Sequence, residues 1–299
     1  MRHTPRVRTE LTTTASGMTL ELVIDGDGPD LLVYHHGTPA AGPIDKAITE
    51  AAADNGFTVV EVVRPGYASS ARQAGRRVRD VVELVVAAAD HLGFDRFVTF
   101  GWSGGGPHAL ATAALLPDRC AAALCLAGVA PHDADGLDFL AGMGQDNIDE
   151  FGAALAGHEQ LEQYLTLAAG GLADITGEQI VQALGSLLPE VDRELLTAQA
   201  GDDLAETFRH SVSTGIWGWF DDDIAFTQPW GFDIGAIKVP TQIWQGTEDL
   251  MVPVAHGHWL AAHVGSCVAR IEQGEGHLSV GARAATEGIP MLKRMLANS

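Results

Sequence analysis

One short stretch constrains this chain more than any other: Gly101-Trp102-Ser103-Gly104-Gly105, set between Phe97-Val98-Thr99-Phe100 and Ala109-Leu110-Ala111. An apolar run, a glycine-rich turn and a second apolar run predict a strand that enters a helix through a very tight turn. A residue held in such a turn has a strained backbone, and the residues two positions away come too close to other main chain to carry side chains. Gly101 and Gly105 meet that demand. The turn lifts the Ser103 hydroxyl clear of the sheet and above the helix N-terminus, where the Gly104 amide faces any anion formed there. A glycine-rich turn carrying an incidental serine would look the same over five residues. The rest of the chain has to separate the two.

From Leu31 to Leu126 strands and helices alternate at short intervals. Leu31–His35 is apolar enough to be buried on both faces of a parallel sheet, and it ends in His36-Gly37-Thr38-Pro39. A helix is expected over Ile44–Ala53 with Gly56 closing it, then a strand over Phe57–Val63 running into Arg64-Pro65-Gly66-Tyr67. A strongly apolar helix, Val78–Leu92, precedes the Ser103 strand, and Ala121–Leu126 is the next strand. The alternation predicts an α/β fold with a mostly parallel, doubly wound sheet. Ahead of it, Leu11–Ala15 and Thr19–Ile24 flank Gly17 as a hairpin, and the first ten residues read as a loose arm.

The rhythm breaks between about Pro131 and Ala236, where the patterns are helical. Ile148, Phe151 and Leu155 share a face, as do Ile180, Ala183, Leu184 and Leu187. This segment ends in an aromatic and acidic patch, Trp217-Gly218-Trp219-Phe220-Asp221-Asp222-Asp223, followed by Trp230. Strands then resume at Thr241–Gln245 and Cys267–Ile271, with helices over Ala255–Val264 and Ala282–Leu296. Because the pattern resumes, the expectation is one sheet domain in two parts, 1–130 and 237–299, with a helical cap, 131–236, inserted between them.

Composition narrows the function classes. A formal net charge of -21 on 299 residues disfavours nucleic acid and anionic membrane surfaces as partners. No apolar stretch follows the charged Met1-Arg2-His3-Thr4-Pro5-Arg6, and no run approaches membrane-spanning length, which points to a cytoplasmic protein. Cys120, Cys125 and Cys267 lack metal-ligand spacing and read as reduced core thiols. The glycines around Ser103 have neither a P-loop lysine nor the spacing of a dinucleotide fingerprint, so no cofactor is expected.

With these elements in place the chain resembles the α/β-hydrolase superfamily, in its serine-nucleophile branch with a helical cap. The resemblance covers nearly the whole length. It implies a Ser–Asp–His triad in that chain order, matched here by Ser103, Asp249 in Gly246-Thr247-Glu248-Asp249, and His277 in Gly276-His277. Each follows a predicted strand, where ligands bind in open α/β sheets. Among twelve histidines, His277 alone stands in a glycine-flanked loop past the last strand; His256, His258 and His263 share a helix and are expected at the surface, and His108 is expected to pack. Glu248 competes with Asp249 as the orienting acid. The alternative family position, after Leu126, offers no carboxylate before Asp133.

The resemblance further implies an oxyanion hole from the amides of Thr38 and Gly104, with His36 supporting the Thr38 loop and Arg64-Pro65-Gly66-Tyr67 acting as scaffold. Trp102 is a candidate substrate contact beside the nucleophile, and Trp217, Trp219, Phe220 and Trp230 either line the pocket or fill the cap core. The function implied is hydrolysis of a carboxylic ester, thioester or lactone of a small, fairly apolar molecule through an acyl-enzyme. C–C bond hydrolysis and iminopeptidase-like cleavage use the same triad, and a ligand-binding protein with little turnover would keep the fold.

Overall fold

The computed structural model describes residues 7–299. An eight-stranded sheet is built from β1 (Arg8–Thr13), β2 (Thr19–Asp25), β3 (Asp30–His35), β4 (Phe57–Val62), β5 (Phe97–Trp102), β6 (Cys120–Leu126), β7 (Thr241–Gly246) and β8 (Cys267–Glu272). Their order across the sheet is β1-β2-β4-β3-β5-β6-β7-β8. The β1–β2 and β2–β4 pairs are antiparallel, and every pair from β4 to β8 is parallel. The expected hairpin is therefore present, with Gly17 in the left-handed region at its turn.

Three residues of the expected loose arm are ordered instead. Arg8, Thr9 and Glu10 pair with Ile24, Val23 and Leu22 and extend β1, because the edge of β2 leaves backbone groups to be satisfied. The start of that arm lies outside the described residues.

Alternation along the strands sends Leu31 and Val33 to one face of the sheet and Leu32 and Tyr34 to the other. Helices cover both faces. Val81–Leu92 and Gly106–Leu115 pack Val85 and Leu110 against the first; Lys46–Asp54 and Ile289–Ala297 pack Ile48 and Leu292 against the second. This double cover explains the unbroken apolar strands. Cys120 and Cys125 are buried in β6 with their thiols pushed up to about 12 by burial.

The chain runs from β3 to β4 in one direction across the sheet and from β5 to β8 in the other. The reversal falls between β3 and β5, so the loops leaving these two strands diverge and open a crevice at the carboxyl edge. Between β6 and β7 the described residues form helices and no strand: Gln145–Ala156, His158–Leu172, Gly177–Ala183, Glu190–Leu195, Ala198–Ser211 and Trp217–Phe226. Their faces differ in detail from expectation. Phe151 is buried with Ala154, whereas Leu155 is 45% exposed, because the inward stripe follows the i, i+3 pair. The last predicted helix begins earlier than expected, at His277, and runs without a break to Ala297 through a π-helical turn at Ala284–Gly288. Among the described residues no helix is long and apolar enough to cross a membrane.

Candidate active site

The turn after β5 explains its own glycines. Ser103 sits at φ +57°, a conformation few non-glycine residues adopt. A Cβ on Gly101 would collide with the carbonyl of Gly105, and one on Gly105 with the carbonyl of His35. The strained serine is therefore held by backbone contact on both sides.

Facing it is the loop that leaves β3. Gly37 lies against Ser103: a Cβ there would stand 3.4 Å from the serine Cβ. Thr38 lies directly against Gly104, since a Cβ on Gly104 would strike the Thr38 side chain. The two candidate oxyanion-hole residues are thus brought face to face beside Ser103. The Gly104 amide lies in the first helical turn, where no intrahelical carbonyl can accept it.

The Thr38 loop is fixed by a buried guanidinium. Arg64 donates from Nη1 to the His36 carbonyl at 2.6 Å, and from Nη2 to the Gly37 carbonyl at 2.7 Å and to Thr38 Oγ1 at 2.9 Å. Its own amide donates to His36 Nε2 at 3.1 Å, so His36 supports the loop as expected. Burial and the Arg64 charge hold the His36 imidazole well below its ordinary value, hence neutral and able to accept that bond.

Asp222, from the Trp217–Phe226 helix, anchors this guanidinium. Its carboxylate pairs with Arg64 at 2.6 Å and Arg76 at 2.7 Å, and accepts from Thr38 Oγ1 at 2.7 Å and the Tyr67 hydroxyl at 2.9 Å. Burial opposes ionisation of Asp222, but the two guanidiniums outweigh it and keep the carboxyl well below its usual range. Three consecutive aspartates, pointing about 100° apart around one helix, serve three ends: Asp221 pairs with Arg72, Asp222 with the Thr38 loop, and Asp223 lines the cavity. In the sequence this run is only part of an acidic patch, and nothing local to it gives any of the three a role.

The other two candidates meet on the far side of the crevice. His277 Nδ1 lies 2.8 Å from Asp249 Oδ2. The second Asp249 oxygen accepts the amides of Met251 at 2.9 Å and Val252 at 2.8 Å, and Gln245 donates to Oδ2 at 2.8 Å. Both side chains are buried, whereas Glu248 and Asp133 are exposed and hold no such place. Burial alone would depress His277; the Asp249 carboxylate, by charge and by hydrogen bond, outweighs it and raises the imidazole above its ordinary value.

A cavity of about 930 Å³ joins the two sides. Ser103, His277, Thr38, Gly104 and Trp102 all line it, and apolar side chains such as Phe151, Leu187 and Phe226 make up much of its wall. Trp102 stacks on His277 with ring centroids 6.1 Å apart, and Gly281 gives it room against the helix that His277 starts. Of the expected aromatic set only Trp219 reaches the cavity; Phe220 and Trp230 are buried elsewhere, and Trp217 stacks under Arg72.

One patch of wall is acidic. Glu150 accepts from Trp219 Nε1 at 2.8 Å beside Asp223. Burial pushes Glu150 up to about 7, and burial with the neighbouring Glu150 and Asp222 charges raises Asp223 well above its usual range too.

Two histidines differ from or refine expectation. His256 is buried rather than at the surface: Nδ1 accepts the Ala130 amide at 3.0 Å and Nε2 meets the Phe139 carbonyl at 2.9 Å. It ties β6 to the start of the helical segment, a partnership invisible in helical periodicity. His108 packs beneath the turn, with Nδ1 2.9 Å from the Gly104 carbonyl, outside the cavity wall.

Comparison with known proteins places the fold in a family. The sequence matches the alpha/beta hydrolase fold family over residues 30–279. It is 22% identical over 284 residues to an uncharacterized hydrolase, YcgS, of Bacillus subtilis (strain 168), covering 94% of this chain and 96% of that one. The fold is similar to a thermophilic esterase from Thermogutta terrifontis (TM-score 0.69, 18% identity, 96% of this chain and 99% of that one). It is also similar to an enol-lactonase from Burkholderia xenovorans LB400 (TM-score 0.64, 18% identity, 96% and 100% covered). With strand order, turn and match running across most of its length, this chain belongs to the alpha/beta hydrolase fold family.

Proposed function

We propose that the protein is a serine hydrolase that cleaves a carboxylic ester, thioester or lactone through an acyl-enzyme on Ser103. The observation that carries this reading is the pairing of His277 Nδ1 with the buried Asp249, which leaves Nε2 for the cavity that Ser103 also lines. A free hydroxyl is a weak nucleophile, and a neutral imidazole within reach makes it a competent one. Ser103 Oγ attacks the acyl carbon as its proton passes to His277. The Thr38 and Gly104 amides receive the developing oxyanion. The imidazolium, steadied by Asp249, then gives its proton to the departing alkoxide or thiolate, and water repeats the sequence to free the acid.

The helical segment 131–236 acts as a cap over this chemistry. Its apolar wall favours a small substrate that is apolar over most of its surface, with Trp102 as a contact, and the Glu150–Asp223 pair offers one place for a hydrogen-bond donor. A lactone fits the same scheme, the leaving alkoxide staying tethered to the acyl group. An esterase and an enol-lactonase are among the proteins that share this fold.

Intact mass after exposure to a small fluorophosphonate tests the reading. One stoichiometric adduct on the wild type and none on Ser103→Ala is expected, with turnover of p-nitrophenyl esters in Ser103→Ala down roughly 10⁵-fold. An unlabelled, folded wild type, or an alanine variant with undiminished turnover, overturns it.

A further inference from the structure

The helix that begins at His277 is capped from a distance. Position 276, where Ser, Thr, Asp or Asn would ordinarily accept the free amides of the first turn, is glycine. The carboxylate of Asp192, itself 0% exposed, fills that role. Its Oδ2 accepts the amides of His277 at 2.7 Å and Leu278 at 3.0 Å, and its Oδ1 accepts Ser279 at 2.9 Å. A side chain at 276 would occupy the place of this carboxylate, which a Cβ would approach to 2.5 Å. The glycine before His277 thus has a local reason.

Asp192 belongs to the short helix Glu190–Leu195 in the inserted segment. On either side of it Leu187, Leu195 and Leu196 line the cavity. The backbone of His277 and the cavity wall formed by these leucines are therefore joined through one carboxylate. Two physical effects follow. The three amides fix the main chain of His277, and with it the imidazole's approach to Asp249 and to the cavity. Free amides at a helix start also carry partial positive charge that disfavours an imidazolium, and a carboxylate cancels it. Asp249, nearest, and Asp192 both raise the proton affinity of His277.

We propose that Asp192 is a positioning residue that makes seating of the 187–196 segment and assembly of the His277 base a single event. Substrate that fills the cavity against Leu187, Leu195 and Leu196 holds the segment down and so holds the base in place. When the segment lifts, the first turn at 277–279 loses its acceptor and the imidazole loses its register. Asp222 does the corresponding service for the Thr38 loop, so each arm of the site is held by a carboxylate of the inserted segment.

This rests on the assignment of His277 as base, and the test separates the two. In ¹⁵N-histidine-labelled protein, with the His277 signal identified by its loss in His277→Gln, Asp192→Asn and Asp192→Ala should lower the His277 titration. Both should reduce kcat on p-nitrophenyl esters by roughly 10²-fold with KM little changed, the size of loss that a small misplacement of a catalytic group produces. If alanine prevents folding, asparagine keeps the shape and one acceptor. In the wild type, hydrogen exchange of peptides covering 277–279 and 190–195 should share one opening rate. An unmoved His277 titration in the folded variants, or exchange at 190–195 while 277–279 stays protected, overturns the proposal, even where stability falls. A shifted titration in a protein that fluorophosphonate does not label keeps the coupling and removes the base assignment.

Discussion

Asp249 and His277 are joined by a 2.8 Å contact at Nδ1, and the carboxylate is itself held by two backbone amides and Gln245. So fixed, it cannot turn away, and the imidazole is kept in the tautomer whose Nε2 is free to accept a proton. Asp249→Asn preserves the shape and reverses that preference. Steady-state kinetics should register a fall of about 10⁴-fold in kcat. The base acts only when neutral, so wild-type kcat/KM should rise with pH through a value above 6.5, and the residual activity of Asp249→Asn should rise at a lower pH. An identical pH profile in the two proteins would remove Asp249 as the partner.

Asp222 is the shared counter-ion of two buried guanidiniums. Asp222→Ala leaves Arg64 and Arg76 charged without a counter-ion, a change that typically costs about 3–5 kcal/mol. Urea denaturation should detect that loss, and the Thr38 loop should lose order with it. A loss below about 1 kcal/mol would mean the arginines find another partner.

Gly105 touches the main chain of His35 and His36 across β3 and β5. No flexible side chain is available to move aside, so Gly105→Ala must displace backbone. Thermal unfolding should show a large drop, and fluorophosphonate labelling of Ser103 should be lost in whatever fraction folds. Gly152→Ala, on an open helix face, is the matched control and should be neutral or slightly stabilising.

His256 accepts an amide proton at Nδ1 and is pushed by burial down to about 4. Between that value and the ordinary 6.5 the unfolded chain binds a proton that the folded chain refuses. Its contribution to stability is therefore whole above pH 6.5 and is lost on acidification towards pH 4. His256→Gln, unable to take up the proton, should flatten the decline in urea midpoint over this window. An unchanged slope would show that His256 protonates in place.

Glu150 is the acid of the cavity wall raised to about 7. Glu150→Gln should leave fluorophosphonate labelling intact while shifting preference among p-nitrophenyl esters away from acyl chains bearing a hydrogen-bond donor, by roughly 10-fold for one lost bond of about 1.4 kcal/mol. Equal effects on donor-bearing and plain acyl chains would separate the pair from substrate selection.

How much of this was readable in advance follows from the range of the forces involved. The β5 turn was legible because strain, glycine and helix start are all local, within five residues. The sheet was legible because its strands are apolar throughout and its connections short. His277 and Asp249 were reachable as residues just past predicted strands, though their contact spans 28 positions. The strand at Arg8 was missed because an edge strand with mixed polarity gains its stability from a neighbour's free backbone groups and not from its own pattern. His256 was misplaced for a similar reason: a histidine on an amphipathic helix looks solvated until its two nitrogens find partners in β6's exit and at Phe139.

Sequence alone determined the order of elements and the strained turn at Ser103, and the family resemblance singled out Asp249 and His277 as the candidate acid and base. Tertiary structure decided which of thirty-nine acidic residues are buried and what they hold. Asp192 lies 85 positions from the amides it accepts, and Asp222 lies 158 from Arg64. A buried carboxylate is tolerated only where donors or cations surround it, and those donors come from elements that meet only when the helical segment closes on the sheet. Local patterns carry strain, periodicity and turn chemistry; they carry no record of which distant amide or guanidinium will lie within three ångströms.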